Sequence, residues 1–115
     1  MHSAPDNERI GITDSFKIFF KKALSINDDY APANTNLGVL FLARNQCDSA
    51  IHYFYKAVNK DSTNWNYVRN LIGGLQQCGR NKELIRWLDY GIEHFKDVEE
   101  NELMRKMRKQ LAQNL

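Results

Sequence analysis

The sequence predicts an all-α protein of about six helices, and three observations carry that expectation. Only two prolines, Pro5 and Pro32, occur in its 115 residues, so nearly every stretch is free to be helical. Apolar residues recur at intervals of three and four along most of the chain, the spacing that lines one face of a helix. No run of comparable length alternates with a period of two, so no sheet is expected.

The elements follow in order. Phe16, Phe19, Phe20, Ala23 and Leu24 form the first stripe, a helix expected over 14–25. Ile26-Asn27-Asp28-Asp29 ends it, and Pro32 suits the first turn of a second helix carrying Leu37, Leu40 and Phe41. Asn45 follows, a residue that tolerates the left-handed conformation ending many helices. Asp48 or a neighbour is expected to cap the third helix, with its stripe Ala50, Ile51, Phe54, Ala57 and Val58. The polar turn Asp61-Ser62-Thr63-Asn64 can cap the fourth, which carries Val68, Leu71, Ile72 and Leu75 and stops at Gly79. Asn81 is the candidate cap of the fifth, with Leu84, Ile85, Leu88, Ile92 and Phe95. Asp97 with Glu100 resembles a capping box opening the sixth, which carries Leu103, Met104, Met107 and Leu111. Its acidic residues come early and its basic ones late, as the helix dipole favours.

Composition narrows the class. The chain is 43% apolar and 26% charged, an ordinary globular balance that argues against disorder. No apolar run approaches the roughly 20 residues of a membrane helix. Residues 1–12 are polar, lack the apolar stretch of a signal peptide, and are expected to form a flexible arm. Sixteen basic against fourteen acidic residues leave a net charge of +2, too weak a field to predict nucleic-acid binding. Two cysteines, Cys47 and Cys78, make neither a disulfide framework nor a zinc site. They are expected to be free, half-buried thiols, which fits a reducing, cytoplasmic compartment best.

The chain also repeats itself. Phe20 and Ala23 recur 34 residues on as Phe54 and Ala57, and again as Leu88 and Gly91. Asn45 shifts to Gly79, Leu37 to Leu71 and Phe41 to Leu75. With Ala31 as the first position of a unit, Leu37-Gly38, Phe41, Ala50, Phe54 and Ala57 resemble the helix–turn–helix pattern of the tetratricopeptide repeat. Asn34 stands where that family has Trp, and Ser62 where it has Pro. Gly38 and Ala50 are expected at the closest helix approach, with Phe54 filling space between neighbouring pairs. In the next unit Ile72 and Leu84 occupy the small-residue positions, so its helices should stand further apart.

The resemblance implies antiparallel helix pairs stacked as a short right-handed α-solenoid over residues 13–115. Its parts would be a partial repeat at 13–30, a full repeat at 31–64, a degenerate one at 65–98 and a capping helix at 99–115. A terminal cap with a polar outer face is what such arrays need for solubility.

No catalytic constellation is present. His2, His52 and His94 lack the spacing of a zinc-binding helix, and neither cysteine has a His partner at readable spacing. Gly73-Gly74 sits inside a helical pattern and reads as a packing feature rather than a phosphate loop. No metal or cofactor is expected, and the chain is read as a non-enzyme. The rings of Tyr53, Tyr55, Trp65, Tyr67, Trp87 and Tyr90 are expected to pack between units and at their rims, since base stacking would need an accompanying basic groove.

By family position, a concave face would be lined by Thr35, Asn36, Val39, Asn66, Arg69, Asn70, Gly73 and Gln77. Asn side chains offer both a donor and an acceptor to an extended peptide backbone. Asn36 matches the middle Asn of the clamp with which some family members hold chaperone tails. Asn66 and Asn70 stand where that clamp needs Lys and Arg, which argues against that ligand. The leading expectation is a protein–protein interaction module or scaffold, free-standing or part of a longer protein. A helical-repeat RNA binder and a docking appendage of an enzyme are the alternatives, as is a solvated face with no ligand. Helix 14–25 has no first helix of its own to cover it. Phe16, Phe19 and Phe20 are therefore expected to form a homodimer contact, or to be covered by a preceding segment or by Ile10 and Ile12.

Overall fold

The computed structural model describes residues 30–114 and Ile18. Five helices follow one another there: α1 (Ala31–Ala43), α2 (Cys47–Lys60), α3 (Trp65–Gln77), α4 (Asn81–His94) and α5 (Asn101–Gln113). The described residues contain no strand. Ile18 is helical and exposed, while Phe16, Phe19 and Phe20, with the self-association expected of them, lie outside the described residues.

The sequence period is also a period of the backbone. α1 and α3 are each 13 residues long and begin 34 positions apart; α2 and α4 are each 14 long with the same offset. Both turns inside the pairs close alike. Asn45 has φ 59° and Gly79 φ 70°, the left-handed conformation expected of them. The Asn45 and Gln46 N–H groups donate to the Leu42 and Phe41 carbonyls at 3.0 and 2.9 Å. One period later, Gly79 and Arg80 donate to Gln76 and Leu75 at 3.2 and 2.9 Å. Each is a Schellman motif that satisfies carbonyls otherwise orphaned at a helix end.

Helix starts are less uniform. Pro32 lies in the first turn of α1, and the Asn64 side chain accepts from the Asn66 N–H at 2.9 Å, capping α3. Three expected caps are corrected. Gln46 and Arg80, not Asp48 and Asn81, occupy the cap positions of α2 and α4, and neither makes a side-chain cap bond. The turn is so short that the residue completing each Schellman motif is already the first boundary residue of the next helix. Glu100 rather than Asp97 precedes α5, again without a side-chain cap. There Asn101, buried at the first turn, donates to the Ile92 and Phe95 carbonyls at 3.2 and 3.0 Å and ties α5 to the end of α4.

The core runs through all five helices. Leu37, Phe54, Val58, Leu71, Leu75, Leu84 and Leu88 are buried, and Met104 brings α5 into the same cluster. Each helix packs on its neighbours in the chain, and α1 also touches α3. Phe54 is the central wedge. A Cβ added to Gly38 would lie 2.5 Å from its ring, and one added to Gly74 would lie 2.9 Å from the ring's other edge. The atoms nearest to a Cβ at Gly38 belong to the ring of Phe54, the residue expected to fill the space between neighbouring pairs. Ile72 and Leu84 stand in the equivalent of the small-residue positions, and α3 and α4 run close together along much less of their length than α1 and α2.

The cysteines are a further correction. Cys47 and Cys78 form a disulfide, with Cα atoms 5.9 Å apart, a normal span for such a bridge. Because α2 packs on α3, the first residue of α2 lies beside the residue capping α3. The expectation of a reducing compartment rested on free thiols and loses that ground.

Candidate functional site

The turn before α3 fixes where its outward face begins. Asp61 Oδ1 accepts from the Thr63 N–H at 3.0 Å and from the Thr63 hydroxyl at 2.6 Å. Those bonds hold the Asp61 carboxyl below its ordinary value. The Tyr90 hydroxyl donates to the Ser62 carbonyl at 3.0 Å and anchors the turn to α4.

From that turn, Asn66, Arg69, Asn70, Gly73 and Gln77 follow at steps of three and four, which puts them on one helix face. Asn66, Arg69, Gly73 and Gln77 are exposed, and Asn70 is half-buried. A Cβ added at Gly73 would meet nothing within 4 Å, so the backbone there stands open. Its neighbour Gly74 faces the other way, against Phe54. The Arg69 guanidinium donates to Asn66 Oδ1 at 3.0 Å and lies 3.7 Å from Glu100 Oε2. The face is therefore rich in amides, and its one cation is held beside a carboxylate.

On α1, Asn36 and Val39 are exposed, and Val39 keeps 46% of its surface open. Thr35 is different. Its hydroxyl oxygen is buried and has no hydrogen-bond partner among the described residues. It does not join the exposed row.

The rings pack mostly within a unit, and Tyr55 with Trp87, 6.1 Å apart between ring centres, crosses between units. Trp65 lies 5.1 Å from Phe95, Trp87 5.1 Å from Tyr90, and Phe41 5.5 Å from Tyr53 between ring centres. The Tyr55 hydroxyl donates to Glu83 Oε2 at 2.6 Å and accepts from the Trp87 indole N–H at 3.2 Å. Burial, and then the bond to Glu83, push the Tyr55 phenol above its ordinary value. Arginines are likewise engaged: Arg80 with Asp48 and Arg108 with Asp89.

Several of these partners have no counterpart in the sequence reading. Cys47–Cys78 and Arg69–Glu100 are 31 positions apart, Asp48–Arg80 and Tyr55–Trp87 32, and Tyr55–Glu83 and Ser62–Tyr90 28. All fall slightly short of the 34-residue period. A search for complementary residues at that shorter offset would have found them.

No family model matches the sequence, and no curated protein matches it either. Among the described residues no helix is long and apolar enough to cross a membrane. No group of three His, Cys, Asp or Glu side chains there is placed to hold a metal ion.

Proposed function

We propose that this chain is a non-catalytic interaction module of the tetratricopeptide type, a short right-handed solenoid that holds an extended peptide segment against α1 and α3. The observation that carries the reading is the open row on α3. Asn66, Gly73 and Gln77 are exposed, Asn70 is partly so, and the backbone at Gly73 is accessible to a ligand main chain. An exposed amide can donate and accept at once, which suits the alternating N–H and C=O groups of an extended peptide. Asn36 and Val39 on α1 supply a second amide and an apolar contact.

Arg69, the cation of the proposed face, lies beside the Glu100 carboxylate, which favours a peptide over a polyanion at this face, because phosphate recognition needs cations free to displace counterions. Selection from a displayed library of random peptides tests the reading. Asn36→Ala with Asn70→Ala should weaken a selected peptide about tenfold, the loss of roughly 1.4 kcal/mol expected of one or two hydrogen bonds. The melting temperature should not move. Undiminished binding by the double variant removes this face as the site.

A further inference from the structure

At the turn end of the joint between the α1–α2 pair and the α3–α4 pair, a covalent link and an ion pair lie side by side. Cys47 opens α2, Cys78 caps α3, and their sulfurs are bonded. Asp48, next to Cys47, pairs with Arg80, two residues beyond Cys78. Arg80 also lies 4.0 Å from Glu83, whose second oxygen takes the Tyr55 hydroxyl. The wedge of Phe54 lies seven residues or about 10 Å further along α2, level with the Tyr55 contacts to Glu83 and Trp87 and away from the bridge itself. Both cysteines are half-buried rather than sealed. A surface cleft of about 420 Å³ lined by Asn45, Gln46, Cys47, Asp48 and Ser49 reaches the bridge.

We propose that Cys47–Cys78 is a reversible redox site whose co-reactant is a dithiol, and that its state sets how firmly the two helix pairs are held together. A thiolate of the dithiol attacks one bridge sulfur, breaking the S–S bond and forming a mixed disulfide; the freed cysteine takes a proton. The second thiol of the reagent then displaces the other cysteine. The protein gains two electrons and two protons as two thiols, and the dithiol leaves as a cyclic disulfide. Phe54 stays wedged between Gly38 and Gly74, so the reduced pairs remain in contact while the turn end of the joint loosens. The two halves of the proposed peptide face ride on α1 and α3, so reduction also relaxes their alignment. That last step rests on the proposed function; the joint itself does not.

Hydrogen exchange followed by mass spectrometry, with no peptide present, tests the joint. Three samples are compared: the protein purified in air, the same protein in dithiothreitol, and the variant Cys47→Ala with Cys78→Ala. The air-purified protein should take up no alkylating reagent, and the reduced one should take up two equivalents. In the reduced protein and the variant, residues 44–50 and 76–82 should exchange at least tenfold faster, while 53–58 and 101–111 keep their rates. Alkylation before reduction, unchanged exchange at the joint, or loss of protection throughout the chain would each overturn the proposal. A selected peptide should bind the reduced form several-fold more weakly. If no peptide binds either form while the joint still responds, the proposed function fails and the redox site stands.

Discussion

The seam where α2 meets α1 and α3 and the seam where α4 meets α3 and α5 occupy the same place in successive periods, yet different chemistry fills them. At the first, Phe54 lies between Gly38 and Gly74, and a disulfide closes the turn end. At the second, Leu88 replaces Phe54, Ile72 replaces Gly38, and Met104 of α5 lies over Gly91, its sulfur 2.7 Å from where a Cβ would stand. α1 touches α3, whereas α3 and α5 are joined by the Arg69–Glu100 pair and separated further along by a cleft of about 160 Å³ beside Gln76, Met107 and Leu111. A rigid ring held between two glycines has one position. A thioether over one glycine has several. The same helix geometry therefore tolerates change very differently at its two seams.

The largest expected effect is Phe54→Ala, which leaves a void bounded by two glycines with no side chain to collapse into it. Denaturant unfolding should show a loss of about 4 kcal/mol, toward the upper end for such truncations. Leu88→Ala should cost about 1 kcal/mol less because its seam is looser. Equal losses would break the comparison. Removing the bridge comes next. Closing a loop across 31 positions stabilises by about 3–4 kcal/mol in the chain-entropy description, so Cys47→Ala with Cys78→Ala should lower stability by that order. The variant should also be insensitive to reductant.

The glycines give a finer test. Gly38→Ala drives a methyl into the Phe54 ring, which Gly74 backs, and should cost about 1–3 kcal/mol. Gly91→Ala crowds the flexible end of Met104, with Ile72 at ordinary contact distance, and should cost less than about 1 kcal/mol. Gly73→Ala meets nothing and should gain about 0.5–1 kcal/mol, the helix-propensity difference. Melts in the reverse order for Gly38 and Gly91 would mean that the first seam yields more readily than the second.

The smallest effect is a pH dependence at the first seam. The folded state favours the neutral Tyr55 phenol, because burial and Glu83 both oppose the phenolate. Its contribution is full below pH 10 and lost as pH rises through the raised folded value. Tyr55→Phe should flatten that alkaline decline in melting temperature. Asp61 acts in the opposite direction: its lowered carboxyl contributes above its ordinary value near 3.8 and is lost as pH falls through the folded value.

How much of this could be read from the sequence varies with the physics involved. Helix spacing and the left-handed residues Asn45 and Gly79 were legible, because each depends on one residue type at one offset. The caps at Asp48, Asn81 and Asp97 were misread because backbone bonds across a very short turn, not side chains, set the starts of α2 and α4, and a buried Asn101 sets that of α5. The Cys47–Cys78 bridge was hidden because cysteine spacing was judged along the chain, when the period brings those positions together. On the candidate face, exposure of Asn66, Arg69, Gly73 and Gln77 followed from helical steps. The tie from Arg69 to Glu100 depends on a neighbouring element that no single helix reveals.

The order of helix contacts has a kinetic consequence. Among the described residues, helices touch only those one or two places away in the chain. Among these five helices docking needs no encounter between elements more than two places apart, and proteins of such low contact order cross their barrier in microseconds to milliseconds. The two sulfurs belong to segments that helix docking has already brought together. Oxidation, which takes seconds or longer, therefore follows a search that is already over: the bridge seals a native arrangement rather than guiding the chain to it.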